Sequence, residues 1–337
     1  MTAGLLLPTH QHYRGLPSLE AVAQLVADDL HQVEQLFQHE IRSTIPEVQA
    51  VLDQIRFYRG KRLRPLLLLL AAKVVGPIQP EHHLLAAVLE MIHTATLIHD
   101  DILDGAQLRR HQVTVHVNWG VPAAVLAGDF LFSHAFTLAS YTRSTRACQL
   151  IGQVTNRICE GEMYQTLRQQ HFDLSEEDYF RIICAKTAEL TSLACRLGAI
   201  FAQAQADQEQ ALADYGLHLG LAFQIADDIL DLIGNEQRLG KSLGTDWILG
   251  KPTLPVIYWR DRLTAEQRNY YIQAWQQSRL ALSELRALLR ESGALSAAWE
   301  RAEHHVQLAK KALDFLPQSA ETEALHALAR FTIDRTF

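Results

Sequence analysis

From Leu84 to His99 the chain reads LLAAVLEMIHTATLIH, apolar at nearly every position and so on every face of a helix. Such a helix has no side for water and belongs in the middle of a bundle. The later stretch ALSELRALLR sets Ala281, Leu282, Leu285, Leu288 and Leu289 on one stripe, with Glu284, Arg286 and Arg290 off it. That is the pattern of a peripheral helix with one wet face. Between Pro122 and Pro252 there is no proline, which leaves room for long uninterrupted helices. Two helix starts are legible. Ser175 in SEED and Thr264 in TAEQ each have an acidic or amide side chain three residues on, the spacing of a capping box. Alternating strand patterns closed by Asn-Gly turns are missing, as are long internal repeats, low-complexity tracts and linkers. The pattern predicts an all-α fold, with a single helical domain over 16–337 behind a flexible leader over 1–15.

The pentapeptide DDILD occurs twice, at Asp100, Asp101, Ile102, Leu103, Asp104 and again at Asp227, Asp228, Ile229, Leu230, Asp231. Each copy closes an apolar run, TATLIHDDILD and LAFQIADDILD, and is followed by loop-like text. At about 100° per residue, positions i, i+1 and i+4 fall within an arc of roughly 100°, so the three carboxylates of each motif are expected to face one way. They stand near helix C-termini, where the macrodipole disfavours a negative charge by ~0.3–1 kcal/mol. Two solvated acidic ends on separate surfaces is the plain reading. If the ends converge instead, like charges ~4 Å apart cost ~4 kcal/mol per pair at an effective dielectric near 20. Several such pairs rival the ~5–15 kcal/mol stability of a whole domain, so convergence demands cations.

Aspartate oxygens without thiol or paired imidazole ligands select a hard ion, and an open site favours Mg²⁺ shared between carboxylates and substrate phosphate. The chain also carries candidate phosphate-binding groups: Lys61, Arg62 and Arg64 in GKRLRP, the pair Arg109 and Arg110, Lys186 and Thr187, Lys241, and Lys251. Scattered lysines and arginines are ordinarily solvated surface charge; proximity to the acidic helix ends gives these their weight. His93, seven residues before Asp100, lies only about 20° from it around the helix. It reads either as a satisfied core histidine or as a hydrogen-bond partner for a diphosphate.

The bulk numbers exclude several classes. The 337 residues are 48% hydrophobic and 20% charged, ordinary for a folded chain. A net charge of −7 gives no general attraction to nucleic acid or to anionic lipid, so phosphate binding must come from local basic clusters. Cys148, Cys159, Cys184 and Cys195 show no metal or redox spacing and are expected to be buried, reduced thiols in a cytoplasmic protein. The start of the chain lacks signal-peptide features. PLLLLLAA, ending before Lys73, falls short of the ~20 residues of a spanning helix, and no membrane span is expected.

Taken in order, GKRLRP, EMIHTATLIHDDILDGAQLRR, GDFLF, GEMYQ, AKTAEL, FQIADDILD and LGTDWILGKPTLP resemble the trans-isoprenyl diphosphate synthase, or polyprenyl synthetase, family of medium- to long-chain type. The resemblance implies a bundle of long helices around a deep central cavity, usually assembled as a homodimer. It implies that Asp100, Asp101, Asp104, Asp227, Asp228 and Asp231 hold Mg²⁺, three ions with substrate bound, on the diphosphate of an allylic substrate. Arg109 matches a contact to that diphosphate, and Lys186, Thr187, Lys241 and Lys251 match others on the allylic side. Lys61, Arg64, His93 and Arg110 match the pocket for isopentenyl diphosphate, while Phe223 and Gln224 match residues beside the reacting carbons. The implied reaction is ionisation of the allylic diphosphate, attack by the double bond of isopentenyl diphosphate, and loss of a proton. Arg59-Gly60 stands where the family commonly has Gly-Gly, and HQVT stands where it has Gly-x-Pro-Thr. The residues before the first acidic motif that floor the product tunnel in the family are here the small Ala95 and Thr96. The implied product is geranylgeranyl or longer, octaprenyl lengths included, with Phe132 as a candidate floor and Ala95→Phe expected to shorten it. Transient membrane contact would serve product release.

Two rival readings remain at this level. Glu90 and His93, and Glu323 and His326, form ExxH pairs of the kind found in di-iron carboxylate bundles, but that reading leaves both DDILD copies idle. A terpene cyclase also ionises a diphosphate, yet it needs only one, and GKRLRP with Arg110 implies a second.

Overall fold

A computed structural model of the chain describes residues 18–56, 58, 60, 62–234, 243–277 and 279–334. The leader over 1–15, Lys61 and Lys241 lie outside them. The fold is helical throughout: α1 Leu19–Gln24, α2 Ala27–Glu40, α3 Pro46–Ile55, α4 Leu63–Val75, α5 Pro80–Leu103, α6 Val115–Trp119, α7 Val121–Tyr141 and α8 Thr145–Leu167. Then come α9 Glu176–Ile183, a π turn at Cys184–Ala188, α10 Glu189–Phe201 and α11 Ala206–Ile233. The C-terminal part holds α12 Thr245–Ile248, α13 Leu254–Asp261, α14 Ala265–Gln276, α15 Leu282–Glu291, α16 Ala294–Ala312 and α17 Ala320–Phe331.

The local signals act as read. Thr264 and Gln267 form the full reciprocal box at the start of α14. Ser175 accepts from the Asp178 N–H at 3.0 Å and donates to that residue's carboxylate at 2.8 Å. In α15, Leu285 and Leu289 are buried, and Arg286 donates to the Leu232 carbonyl of α11. The all-round apolar run becomes α5, sealed from Leu85 to Ile92, with α7 along one side and α4 and α2 along others.

Two hydrophobic cores result. The first gathers α2, α4, α5, α7 and α10. The second is built from α9, from α12 to α15 and from the start of α16, around Phe172, Trp247, Trp259 and Trp275. Helix α11 belongs to both: Leu212, Tyr215 and Leu219 enter the first, and Ile225, Ile229 and Leu232 the second. It can lie so close to the π turn because of Gly220, where an added Cβ would stand 2.6 Å from the Ala188 Cα.

One element departs from the sequence reading. The text after the first acidic motif folds as a small antiparallel hairpin, Leu108–Arg109 against Gln112–Val113. Its two turn residues, Arg110 and His111, both have positive φ, 51° and 64°, as a two-residue hairpin turn requires. Helix α7 is also notable, because by length and composition it is apolar enough to cross a membrane, with a third of its most apolar window buried. Its outward face carries Val125, Leu126, Phe136 and Tyr141.

Candidate active site

The first acidic motif occupies the last turn of α5, with Asp104 as its C-cap. Its three carboxylates do not face one way. Asp101 is fully buried, where its Oδ1 accepts from Arg109 Nε at 2.6 Å and its Oδ2 from the Tyr58 hydroxyl at 3.0 Å. A 100° arc is wide enough for the middle carboxylate to turn into the protein while its neighbours stay at the surface of the site. Asp100 and Asp104 are half-buried, on one stripe of α5 with His93, Thr96 and Leu97. Asp104 pairs with Lys251 Nζ at 2.6 Å.

Lys186, on the π turn, pairs with Glu162 and donates to Gln165 Oε1 at 2.6 Å. Burial works against its ammonium, but Asp100, Glu162 and Asp104 outweigh it and hold the pKa above the ordinary lysine range. Burial pushes the Asp100 carboxyl up to about 6, with Lys186 opposing and Glu162 and Asp104 adding to the rise.

The second motif closes α11. Asp228 accepts from the Tyr179 hydroxyl at 2.7 Å and from Gln224 Nε2 at 2.8 Å, and Gln224 Oε1 accepts from Thr187 Oγ1 at 2.8 Å. Burial and then Asp246 push Asp228 up to about 8, against the two hydrogen bonds. Burial, with Asp228 beside it, holds the Tyr179 phenol well above its usual range. Asp231 is buried and accepts from the Asp246 N–H at 3.2 Å, while Asp227 is half-buried. Phe223 and Gln224 sit one turn before this motif, both half-buried.

The two helix ends meet. Adjacent residues of the π turn serve one motif each, Lys186 through its charge on Asp100 and Asp104, Thr187 through Gln224 to Asp228. A second strap joins them from the other side. Lys251, paired to Asp104, donates its backbone N–H at 2.8 Å to the carbonyl of Asp246, the residue whose own N–H reaches Asp231. Separate solvated surfaces are therefore excluded.

A second cationic group lies along α4 and α5. Arg64 is deeply set in the first turn of α4; its Nε is buried with no hydrogen-bond partner among the described residues. Burial lowers its pKa to about 10, against the pull of Glu90. Burial first, then Arg64, Arg110, Arg109 and Arg62, hold His93 neutral, well below its ordinary range. Arg110 donates to the Tyr58 carbonyl at 3.1 Å. It packs so close to Gly60 that a Cβ there would meet the guanidinium at 2.8 Å. A side chain at position 60 would therefore displace the Arg110 guanidinium. Arg62 has a structural role: it starts α4, pairs with Glu34 at 2.9 Å and Glu90 at 2.7 Å, and lies over Phe37.

The chain-length candidates separate as well. Ala95 is fully buried. Thr96 is half-buried on the stripe of Asp100 and donates to the His93 carbonyl at 2.7 Å. Phe132 of α7 lies with its ring 5.9 Å from that of His99. The di-iron reading fails on geometry, since Glu90 is paired to Arg62 and Glu323 is exposed on α17.

Among the described residues no three His, Cys, Asp or Glu side chains form a self-sufficient metal cage. The outer aspartates are nevertheless hard oxygen donors in pairs. They fit an ion such as Mg²⁺, which takes one or two carboxylates and completes its shell with water and substrate phosphate. Sequence reasoning missed Tyr58, Tyr179, Glu162 and Gln165; the last two lie in GEMYQ, a motif whose spacing alone gives its side chains no role.

Comparison with known proteins agrees with this geometry. The Polyprenyl synthetase family profile matches residues 45–291. Octaprenyl diphosphate synthase of Haemophilus influenzae is 36% identical over 96% of this chain and 98% of its own. Among solved structures, polyprenyl synthase from Caulobacter crescentus CB15, complexed with calcium and isoprenyl diphosphate, superposes with a TM-score of 0.89 at 39% identity, covering 96% of this chain and 99% of that one. A decaprenyl diphosphate synthase from Rhodobacter capsulatus gives a TM-score of 0.89 at 36% identity, over 94% and 98%.

Proposed function

The chain belongs to the polyprenyl synthetase family, and from that premise we propose that it is an Mg²⁺-dependent, homodimeric enzyme of octaprenyl-class product length. It is a prenyltransferase making medium- to long-chain all-trans polyprenyl diphosphates. The observation that carries the site-level reading is the pairing of two charge groups. The converged acidic ends with Lys186 and Lys251 suit one metal-bridged diphosphate, and the Arg64, His93 and Arg110 group suits a second.

The allylic diphosphate is held at the acidic ends, with the half-buried Asp100, Asp104 and Asp227 facing it and Arg109, Lys186, Thr187 and Lys251 beside it. Mg²⁺ bound to these carboxylates supplies electrostatic stabilisation of the departing diphosphate. Arg64, Arg110 and neutral His93 bind the diphosphate of isopentenyl diphosphate and aim its double bond at the cation. Apolar walls from α5, α7 and α11 keep water from that cation, and the tail grows past Thr96 toward Phe132. Lys61 and Lys241 join the two diphosphate sites on the strength of the family pattern. Three Mg²⁺ ions with substrate bound, a cytoplasmic location and brief membrane contact at product release complete the proposal.

The dimer is supported by α7, whose outward Val125, Leu126, Phe136 and Tyr141 suit a second copy of the same face. The test is incubation of the protein with Mg²⁺, labelled isopentenyl diphosphate and farnesyl diphosphate, followed by extraction. The expected product is an octaprenyl-length diphosphate that disappears with EDTA. Pyrophosphate release without incorporation of label would overturn the reading in favour of a cyclase.

A further inference from the structure

The second aspartate of each DDILD copy has the same surroundings, built from unrelated parts of the chain. Asp101 receives a tyrosine hydroxyl on Oδ2 from Tyr58, 43 positions away, and a side-chain N–H on Oδ1 from Arg109. Asp228 receives a tyrosine hydroxyl on Oδ2 from Tyr179, 49 positions away, and a side-chain N–H on Oδ1 from Gln224. All four partners come from outside the pentapeptides. Tyr58 and Tyr179 are themselves buried, and Tyr58 is fixed in turn by the Val115 N–H at 3.3 Å.

A buried tyrosine hydroxyl ordinarily finds some partner, so one such contact carries little. Two, at the same position in each motif, each completing a doubly occupied carboxylate, point to a shared task. The first motif lies in the last turn of α5, and the second ends two residues before the end of α11. There the final carbonyls lack intrahelical partners and the macrodipole works against carboxylates. In each motif one carboxylate oxygen is held by a tyrosine from a distant segment and the other by a nearer side chain, Arg109 or Gln224, and together they fix the rotation of that turn. The half-buried residues beside that carboxylate, Asp100 with Asp104 in the first motif and Asp227 in the second, then project where ions are to be held.

We propose that Tyr58 and Tyr179 are a matched pair of positioning residues, each anchoring the second carboxylate of one acidic motif so that the outer carboxylates are preset for metal and diphosphate. This rests on the prenyltransferase reading above. Partners that orient ligating groups tune metal affinity without touching the metal, and the two tyrosines act in that way on opposite sides of one site.

The experiment uses the full-length protein, with Tyr58→Phe, Tyr179→Phe and Tyr179→Phe combined with Asp228→Asn. Binding of Mg²⁺ with inorganic pyrophosphate is followed by calorimetry, and the Mg²⁺ concentration for half-maximal prenyl transfer is measured alongside kcat and both KM values. Each Phe variant should need roughly tenfold more Mg²⁺ in both measurements, with the KM for isopentenyl diphosphate unchanged. On the Asp228→Asn background the Tyr179→Phe change should add nothing further, since coupled residues are not additive. Variants that lose only melting temperature and keep the wild-type Mg²⁺ dependence would overturn the proposal, as would additivity with Asp228→Asn. Should Tyr179→Phe fail to fold, Tyr58→Phe tests the same role at the first motif. Wild-type protein that neither binds Mg²⁺ with pyrophosphate nor transfers prenyl groups would instead sink the functional reading itself.

Discussion

Thr96 and Ala95 are neighbours of similar size with different surroundings, and the difference separates what a large side chain would do at each. Ala95 is sealed in the core, whereas Thr96 shares the open stripe of His93 and Asp100. A phenylalanine at 96 projects from the half-buried stripe of α5 that carries His93 and Asp100; at 95 it must first displace packed neighbours, at a cost of about 1–3 kcal/mol. Thr96→Phe should therefore shift the extracted products to shorter chains with little change in melting temperature. Ala95→Phe should lower the melting temperature as well. An unchanged chain-length distribution in Thr96→Phe would remove that residue from the tunnel. At this scale the sequence exposed residue types that are unusual where they stand: six aspartates at the ends of greasy helices, and a histidine inside one. It did not expose Tyr58 or Tyr179, because a single tyrosine some forty positions from its partner leaves no periodic or local trace. Nor could spacing alone reveal that Asp101 turns inward, since 100° of arc is compatible with either orientation until Arg109 and Tyr58 are in place.

Among the elements, the π turn at Cys184–Ala188 addresses both motifs through consecutive side chains, Lys186 by its charge beside Asp100 and Asp104 and Thr187 by its bond to Gln224. Its position depends on the close approach that Gly220 permits. Gly220→Ala should destabilise the fold by about 1–3 kcal/mol and reduce kcat more than the surviving folded fraction explains, as Lys186 and Thr187 shift away from their motifs. A urea melt paired with active-site titration measures both. A second element-scale test concerns α11 and α16, which face each other through His218 and His305, Nδ1 to Nδ1 at 3.2 Å. Burial first, then His218, Arg301 and His304, lower His305 to about 4; burial, with His304 adding and Asp214 opposing, also lowers His218. Unfolded histidines titrate near pH 6.5, so the unfolded chain binds more protons between about pH 6.5 and 4 and stability falls with acidification through that window. Urea midpoints at pH 7 and pH 5 should differ, and His305→Phe, which keeps a ring against Phe180, should narrow the difference. The helices were legible from apolar periodicity and caps. The hairpin was not, because two-residue strands offer no alternation and Arg110-His111 lacks the usual Asn-Gly signal. The π turn, whose residues look like any helix interior, was equally silent.

At the scale of the molecule, an all-helical chain followed from the pattern alone, while the meeting of its acidic ends required the fold. No property of either DDILD copy says where the other will be; Lys251 crossing to Asp104 and Thr187 crossing to Gln224 say it. The apolar outward face of α7 was also hidden in the sequence reading, because a helix that is greasy all round reads as interior. Leu126, the most exposed of its large side chains, sets the whole-molecule test. Leu126→Glu should convert a dimer to monomers in sedimentation velocity, and a variant that sediments as the wild type would refute the assigned face. Helix α11 has one more consequence. As a beam common to both cores, with its acidic tip at one end, it leaves no intermediate in which half the protein is melted and the catalytic tip still aligned. Heat inactivation and loss of helical signal should accordingly trace one curve, so that the enzyme fails all at once and not by degrees.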